Sequence, residues 1–94
     1  MDYLNKVVLV KKELNQLNLD TLTIGLAYNS SDKEYKLDLN IGGVTGLSDW
    51  FDEKLLIPLE TVVDGFYIKD VTKLTKNQRV FIFHRYKEYL EKGF

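Results

Sequence analysis

Thr21-Leu22-Thr23-Ile24-Gly25-Leu26-Ala27-Tyr28 and Glu34-Tyr35-Lys36-Leu37-Asp38-Leu39-Asn40-Ile41 flank the polar cluster Asn29-Ser30-Ser31-Asp32-Lys33. Both flanks alternate with a period of two, which is the signature of half-buried strands. Leu22, Ile24, Leu26 and Tyr28 point one way. Thr21, Thr23, Gly25 and Ala27 point the other. In the second flank Tyr35, Leu37, Leu39 and Ile41 oppose Glu34, Lys36, Asp38 and Asn40. The cluster between them is turn chemistry. This reads as a hairpin with one apolar and one wet face. The small residues opposite Leu22, Ile24 and Leu26 leave room for something to pack on the outer face of the first strand.

Upstream, Leu4, Val7, Val10, Leu14 and Leu17 recur at three- and four-residue spacing, so Asp2 to about Leu17 reads as a helix. A short strand at Val7–Val10 is the rival, since β-branched residues favour sheets. The period continues past the valines and favours the helix. Downstream, Gly42-Gly43-Val44-Thr45-Gly46 ends the second strand. Ser48 can cap a short helix to about Leu56, with Asp49, Asp52 and Glu53 early and Trp50, Phe51, Leu55 and Leu56 as its apolar stripe. Pro58 cannot continue it. Asp64-Gly65 between Thr61-Val62-Val63 and Phe66-Tyr67-Ile68 predicts a second, two-residue hairpin. Thr75 with Gln78 forms a capping box that opens a final helix. Val80, Ile82, Phe83, Tyr86 and Leu90 give it a broad apolar face, and Gly93 suits its C′ position. The expected fold is α+β: a single antiparallel sheet of about four strands in two hairpins. N- and C-terminal helices and a short middle helix pack on it.

The chain has 94 residues, one domain's worth, so 1–94 is expected to be a single domain. Twelve aromatics and 15 Leu make a core feasible without metal or disulfide. The apolar content excludes a disordered chain. The absence of Cys excludes a disulfide scaffold and a cysteine zinc site, and fits a reducing compartment. The longest apolar runs are four residues, far short of a membrane span. The N-terminus lacks a basic n-region and a cleavage site. A cytoplasmic protein with no membrane contact is expected.

Catalytic constellations are thin. His84 is the single histidine and lies mid-helix without a nearby serine. A lone helical His is more often a packing residue than a catalyst. Asp49, Asp52 and Glu53 can hold a cation or exchange protons, but their spacing suits a helix start equally well. The Gly42–Gly46 run can cradle a phosphate. It matches neither a P-loop nor G-x-G-x-x-G, and a glycine turn leaving a strand explains it. No cofactor, metal or catalytic residue is expected, and the protein is not expected to be an enzyme.

Charge is better organised. Thirteen basic and 14 acidic side chains leave a net of −1, yet 48–64 is acidic and 69–87 basic. The basic stripe is most simply a solvated face that the acidic half neutralises within the fold; it can also meet an acidic protein patch or track a nucleic-acid backbone. The last helix also has more apolar residues than one face can hide, because Val80-Phe81-Ile82-Phe83 spans all its sides. The leading expectation is therefore a small non-enzymatic protein-binding module, an inhibitor or adaptor. It would dock through Trp50, Phe51, Phe81, Arg85 and Tyr89. The alternative is a nucleic-acid-binding protein using Lys73, Lys76, Arg79, Arg85 and Lys87. A third reading, a small enzyme or ligand-binding domain, needs His84 and the Asp49, Asp52 and Glu53 cluster to converge on one pocket; the surplus aromatics can also form a homodimer surface. Eleven Lys against two Arg, with six Asn, is the usage of an AT-rich genome. In size, layout and usage the chain is similar to small proteins of phages and mobile elements, which often bind and block a host protein.

Overall fold

In the computed structural model, which describes residues 2–64 and 73–92, Val7–Val10 is a strand (β1) and not part of an N-terminal helix. The reason is its position. β1 lies inside a five-stranded antiparallel sheet, between β2 (Ile24–Ser31) and β5 (Leu56–Pro58). Val8 and Leu9 are both fully buried, on opposite faces. A strand covered on both sides reads as a continuous apolar run without alternation, and a helical period can be drawn through it. Leu14 and Leu17, which prolonged that period, belong instead to a 3-10 turn at Leu14–Gln16 and its C-cap.

The hairpin forms as expected, though with a different facing. β2 extends to Ser31 and joins β3 (Glu34–Asp38) through Asp32 and Lys33, both at positive φ, as a tight hairpin turn demands. The register sets Leu37 opposite Ala27 and Asp38 opposite Leu26. Directly paired residues share a face, so the apolar sets of the two strands lie on opposite faces of the sheet. Leu37 packs against Gly25 and Ala27, the small residues of β2. The single wet face expected for the hairpin is thus replaced by two apolar faces. Tyr28 is the extra residue where the register shifts between Ala27 and Asn29, and it remains exposed.

The expected middle helix is absent. Leu47–Asp52 is strand β4, paired with β3 through Tyr35–Phe51 and Lys36–Trp50. Ser48 Oγ accepts the Leu37 N–H at 2.7 Å and so serves the sheet. Asp52 caps only a 3-10 turn, Glu53–Leu55, through the Lys54 N–H at 2.9 Å. The chain then enters β5 directly. Strand order is β4-β3-β2-β1-β5, five strands among the described residues where about four were expected.

After Pro58 the chain turns into a short helix, α1 (Leu59–Val62), where the first strand of a second hairpin was expected. Leu59, Val62 and Val63 fall at i, i+3 and i+4 and all bury, which outweighs the β propensity of Thr61-Val62-Val63. The rest of that hairpin, from Gly65, lies outside the described residues, as do Gly93 and Phe94. The final helix, α2 (Lys76–Lys92), is opened by the expected capping box. The Thr75 N–H donates to Gln78 Oε1 at 2.8 Å, and the Gln78 N–H donates to Thr75 Oγ1 at 3.2 Å.

The core has two parts. Ile82 and Tyr86 of α2 meet Leu9, Ile24 and Ile57 of the sheet, with Leu59, Val62 and Leu74 closing the edges. The opposite face gathers Val8, Ala27, Tyr35, Leu37 and Leu56, flanked by Tyr3, Leu4 and Phe51. Among the described residues no helix is long and apolar enough to cross a membrane.

Candidate functional site

Four-residue spacing places Phe81, Arg85 and Tyr89 on one ridge of α2. Of the consecutive residues Val80 to Phe83, Ile82 is fully buried and Val80 and Phe83 are partly covered. Phe81 is left 44% exposed. The Arg85 guanidinium sits over its ring, 5.4 Å from the centroid, and reaches Glu88 at 3.4 Å. Such a cation–π contact at the surface is worth about 0.5–1 kcal/mol. Beside this pair runs a groove of about 390 Å³. Val62 and Val63 line it with Phe81 and Arg85, and Glu60 and Asp64 supply carboxylates. Glu60 is bridged by Lys6 at 3.0 Å, an exposed pair of small energetic weight.

Tyr89 belongs to the far end of the ridge. It is partly buried, its ring stacks on Tyr86 at 6.4 Å, and it lines a second hollow of about 310 Å³ with Leu90, Ile57 and the 11–13 segment. Tyr86 beneath it accepts the Lys12 N–H at 3.1 Å through its hydroxyl oxygen. Burial holds its phenol above the ordinary value of 10.0; the Lys12 N–H acts the other way, and neighbouring Tyr89 adds to the rise. The folded state therefore keeps this proton at pH values where the unfolded chain has lost it. By linkage, this contribution to stability is complete below about pH 10 and is lost as pH rises through the folded-state value. Tyr86→Phe should flatten part of that alkaline decline while costing about 1 kcal/mol at neutral pH through the orphaned Lys12 N–H. Urea unfolding of both proteins from pH 7 to 11 checks this; parallel pH curves would contradict it.

Trp50 and Phe51 lie apart from this ridge, on edge strand β4. Trp50 is 38% exposed, with Lys36 Nζ 5.1 Å from its ring centroid. Phe51 faces the other way and packs with Tyr35 and Leu37. The Trp50 N–H is occupied by Asp49 Oδ1 at 3.0 Å, so a carboxylate guards this edge. Sequence reasoning passed over Leu47, 62% exposed on the same strand, because alternation in a short acidic segment does not reveal which residue faces water. It also missed Glu60 and Asp64 as groove residues, since their meeting with α2 is a tertiary event.

The basic residues divide. Lys73, Lys76 and Arg79 gather at the start of α2 around Gly43. Arg85 stands on the Phe81 flank. Lys87 is exposed, eleven residues and about 16 Å along the helix from Lys76. His84 is exposed on α2, its ring edge-on to Phe83 at 5.6 Å. Asp49, Asp52 and Glu53 belong to β4 and the turn that follows it, while α2 packs on α1 and the 3-10 turns at 14–16 and 19–21. Among the described residues no three His, Asp or Glu side chains come together as a metal set.

Comparison with protein-family models, with curated proteins and with solved structures finds no match to this chain.

Proposed function

We propose that this protein is a non-enzymatic docking module that binds another protein through the Phe81–Arg85 flank of α2. The observation that carries the reading is the half-exposed Phe81 ring held under Arg85 beside the groove lined by Val62 and Val63. An aromatic and an arginine at the mouth of a hollow are the residue types that dominate binding energy at protein interfaces. The partner would seat an apolar side chain in the groove beside Phe81. An inhibitor or adaptor works in this way, by occupying a surface without chemistry.

Tyr89 contributes at the end of the ridge, but its packing on Tyr86 makes it a poor probe, since its loss also disturbs the core. Phe81→Ala combined with Arg85→Ala is the cleaner test. Both side chains are about half exposed, so unfolding free energy should move by only about 1 kcal/mol. Capture of a partner from lysate of the source cells, with nuclease present, should be lost with the double variant and kept with the parent protein. Equal capture by both proteins would overturn the reading. Recovery that disappears on nuclease treatment would turn attention to nucleic acid.

A further inference from the structure

We propose that Lys73, Lys76 and Arg79, gathered against the Gly43 turn, form a binding site for the phosphate group of a small phosphorylated ligand. The site is independent of the Phe81 flank. Its construction begins with Leu74, which is buried and whose N–H donates to Ile41 O at 2.8 Å. That bond ties the approach to α2 onto the 39–42 turn and brings Lys73 beside Gly43. One helical turn in, Arg79 donates from Nη2 to Leu19 O at 3.4 Å. Gly43 has φ +89°, a conformation natural to glycine. A Cβ there would lie 3.9 Å from Arg79 Cδ and Nη1 and 4.0 Å from Lys73 Cε. The turn thus lies directly against the Arg79 and Lys73 side chains.

The hollow between them measures about 320 Å³ and is lined by three cations against one carboxylate, Asp20. A second hollow, of about 240 Å³, adjoins it along Gly43 and Lys73 and carries Asn40 and Thr45. Neither Lys73 nor Lys76 has an ion pair among the described residues, and Arg79 Nε is buried without a hydrogen-bond partner there. Three like charges brought together repel one another, and an oxyanion among them relieves that repulsion through charge-assisted hydrogen bonds. The positive end of the α2 dipole acts in the same sense. The volume suits a small ligand. The cations converge on one place, while Arg85 lies on another flank and Lys87 three turns away, so among the described residues no rail for a polynucleotide backbone extends from the site. This favours a single phosphate group over a nucleic-acid strand.

The test is a titration of the isotope-labelled full chain, followed by amide NMR, with inorganic phosphate and then pyrophosphate at constant ionic strength. Saturable shifts should concentrate at Gly43, Val44, Thr45 and 73–79, with pyrophosphate the tighter probe. Lys73→Gln with Lys76→Gln, both exposed positions, should leave the rest of the spectrum unchanged and weaken binding roughly tenfold or more. Absence of saturation, or equal affinity in the double variant, would overturn the proposal. A parallel titration with a short single-stranded oligonucleotide separates the sources. Tighter binding there than with pyrophosphate, with shifts running to Arg85 and Lys87, would overturn it in favour of a nucleic-acid track.

Discussion

Tyr86→Ala is expected to lower the unfolding free energy by about 3–5 kcal/mol, the usual cost of deleting a fully buried aromatic ring. Among the described residues, Tyr86 is the largest side chain buried without residual exposure. It joins three elements at once: its ring packs with Ile82 and the sheet residues, it stacks on Tyr89, and its hydroxyl accepts the Lys12 N–H from the segment after β1. Truncation leaves a cavity under α2 and an unsatisfied N–H together. A domain of this size has about 5–15 kcal/mol in total, so the variant should be only marginally folded at 25 °C. Chemical denaturation followed by circular dichroism should show the midpoint falling far below that of Tyr86→Phe. A loss under about 1 kcal/mol would mean that α2 does not seal this face of the sheet.

Gly42→Ala is expected to cost about 1–3 kcal/mol although it adds only one carbon. Gly42 is buried at the end of the 39–42 turn. A Cβ there would lie 2.5 Å from the Ile24 carbonyl oxygen and 3.2 Å from Ile24 Cβ. Neither neighbour yields easily. Ile24 belongs to β2, which is held between β1 and β3. The turn must shift instead, and with it Ile41 O, the acceptor that anchors Leu74. The same substitution should therefore disturb amide signals at 73–76 as well as those of the turn. Unchanged stability with an unchanged spectrum there would contradict the close approach.

Local chemistry was legible where the deciding partners are near in sequence. Thr75 and Gln78 announce the start of α2 because each satisfies the other. The polar Asn29–Lys33 cluster announces the hairpin because the turn at Asp32 and Lys33 is set by local backbone conformation. Gly25 and Ala27 signalled that something packs on the outer face of β2, and Leu37 does so. Val7–Val10 misled because a strand with neighbours on both sides and cover on both faces shows no alternation. Ser48 and Asp52 misled because their side chains bond equally well to a facing strand or a 3-10 turn as to a helix N-terminus. On the surface, the surplus of four consecutive apolar residues on α2 was legible, but that Phe81 is the exposed one depends on which elements cover the helix. The meeting of Lys73 with Gly43 was not legible either, since the Leu74–Ile41 bond that creates it joins residues on different elements.

The proposed docking flank can be mapped directly. Hydrogen–deuterium exchange of the intact protein, alone and bound to its captured partner, reads protection segment by segment. The expected result is new protection at 60–64 and across 78–88, around Phe81 and Arg85. Protection confined to β4 at 47–52, or to the Gly43 and Lys73 region, with 78–88 unchanged, would contradict it.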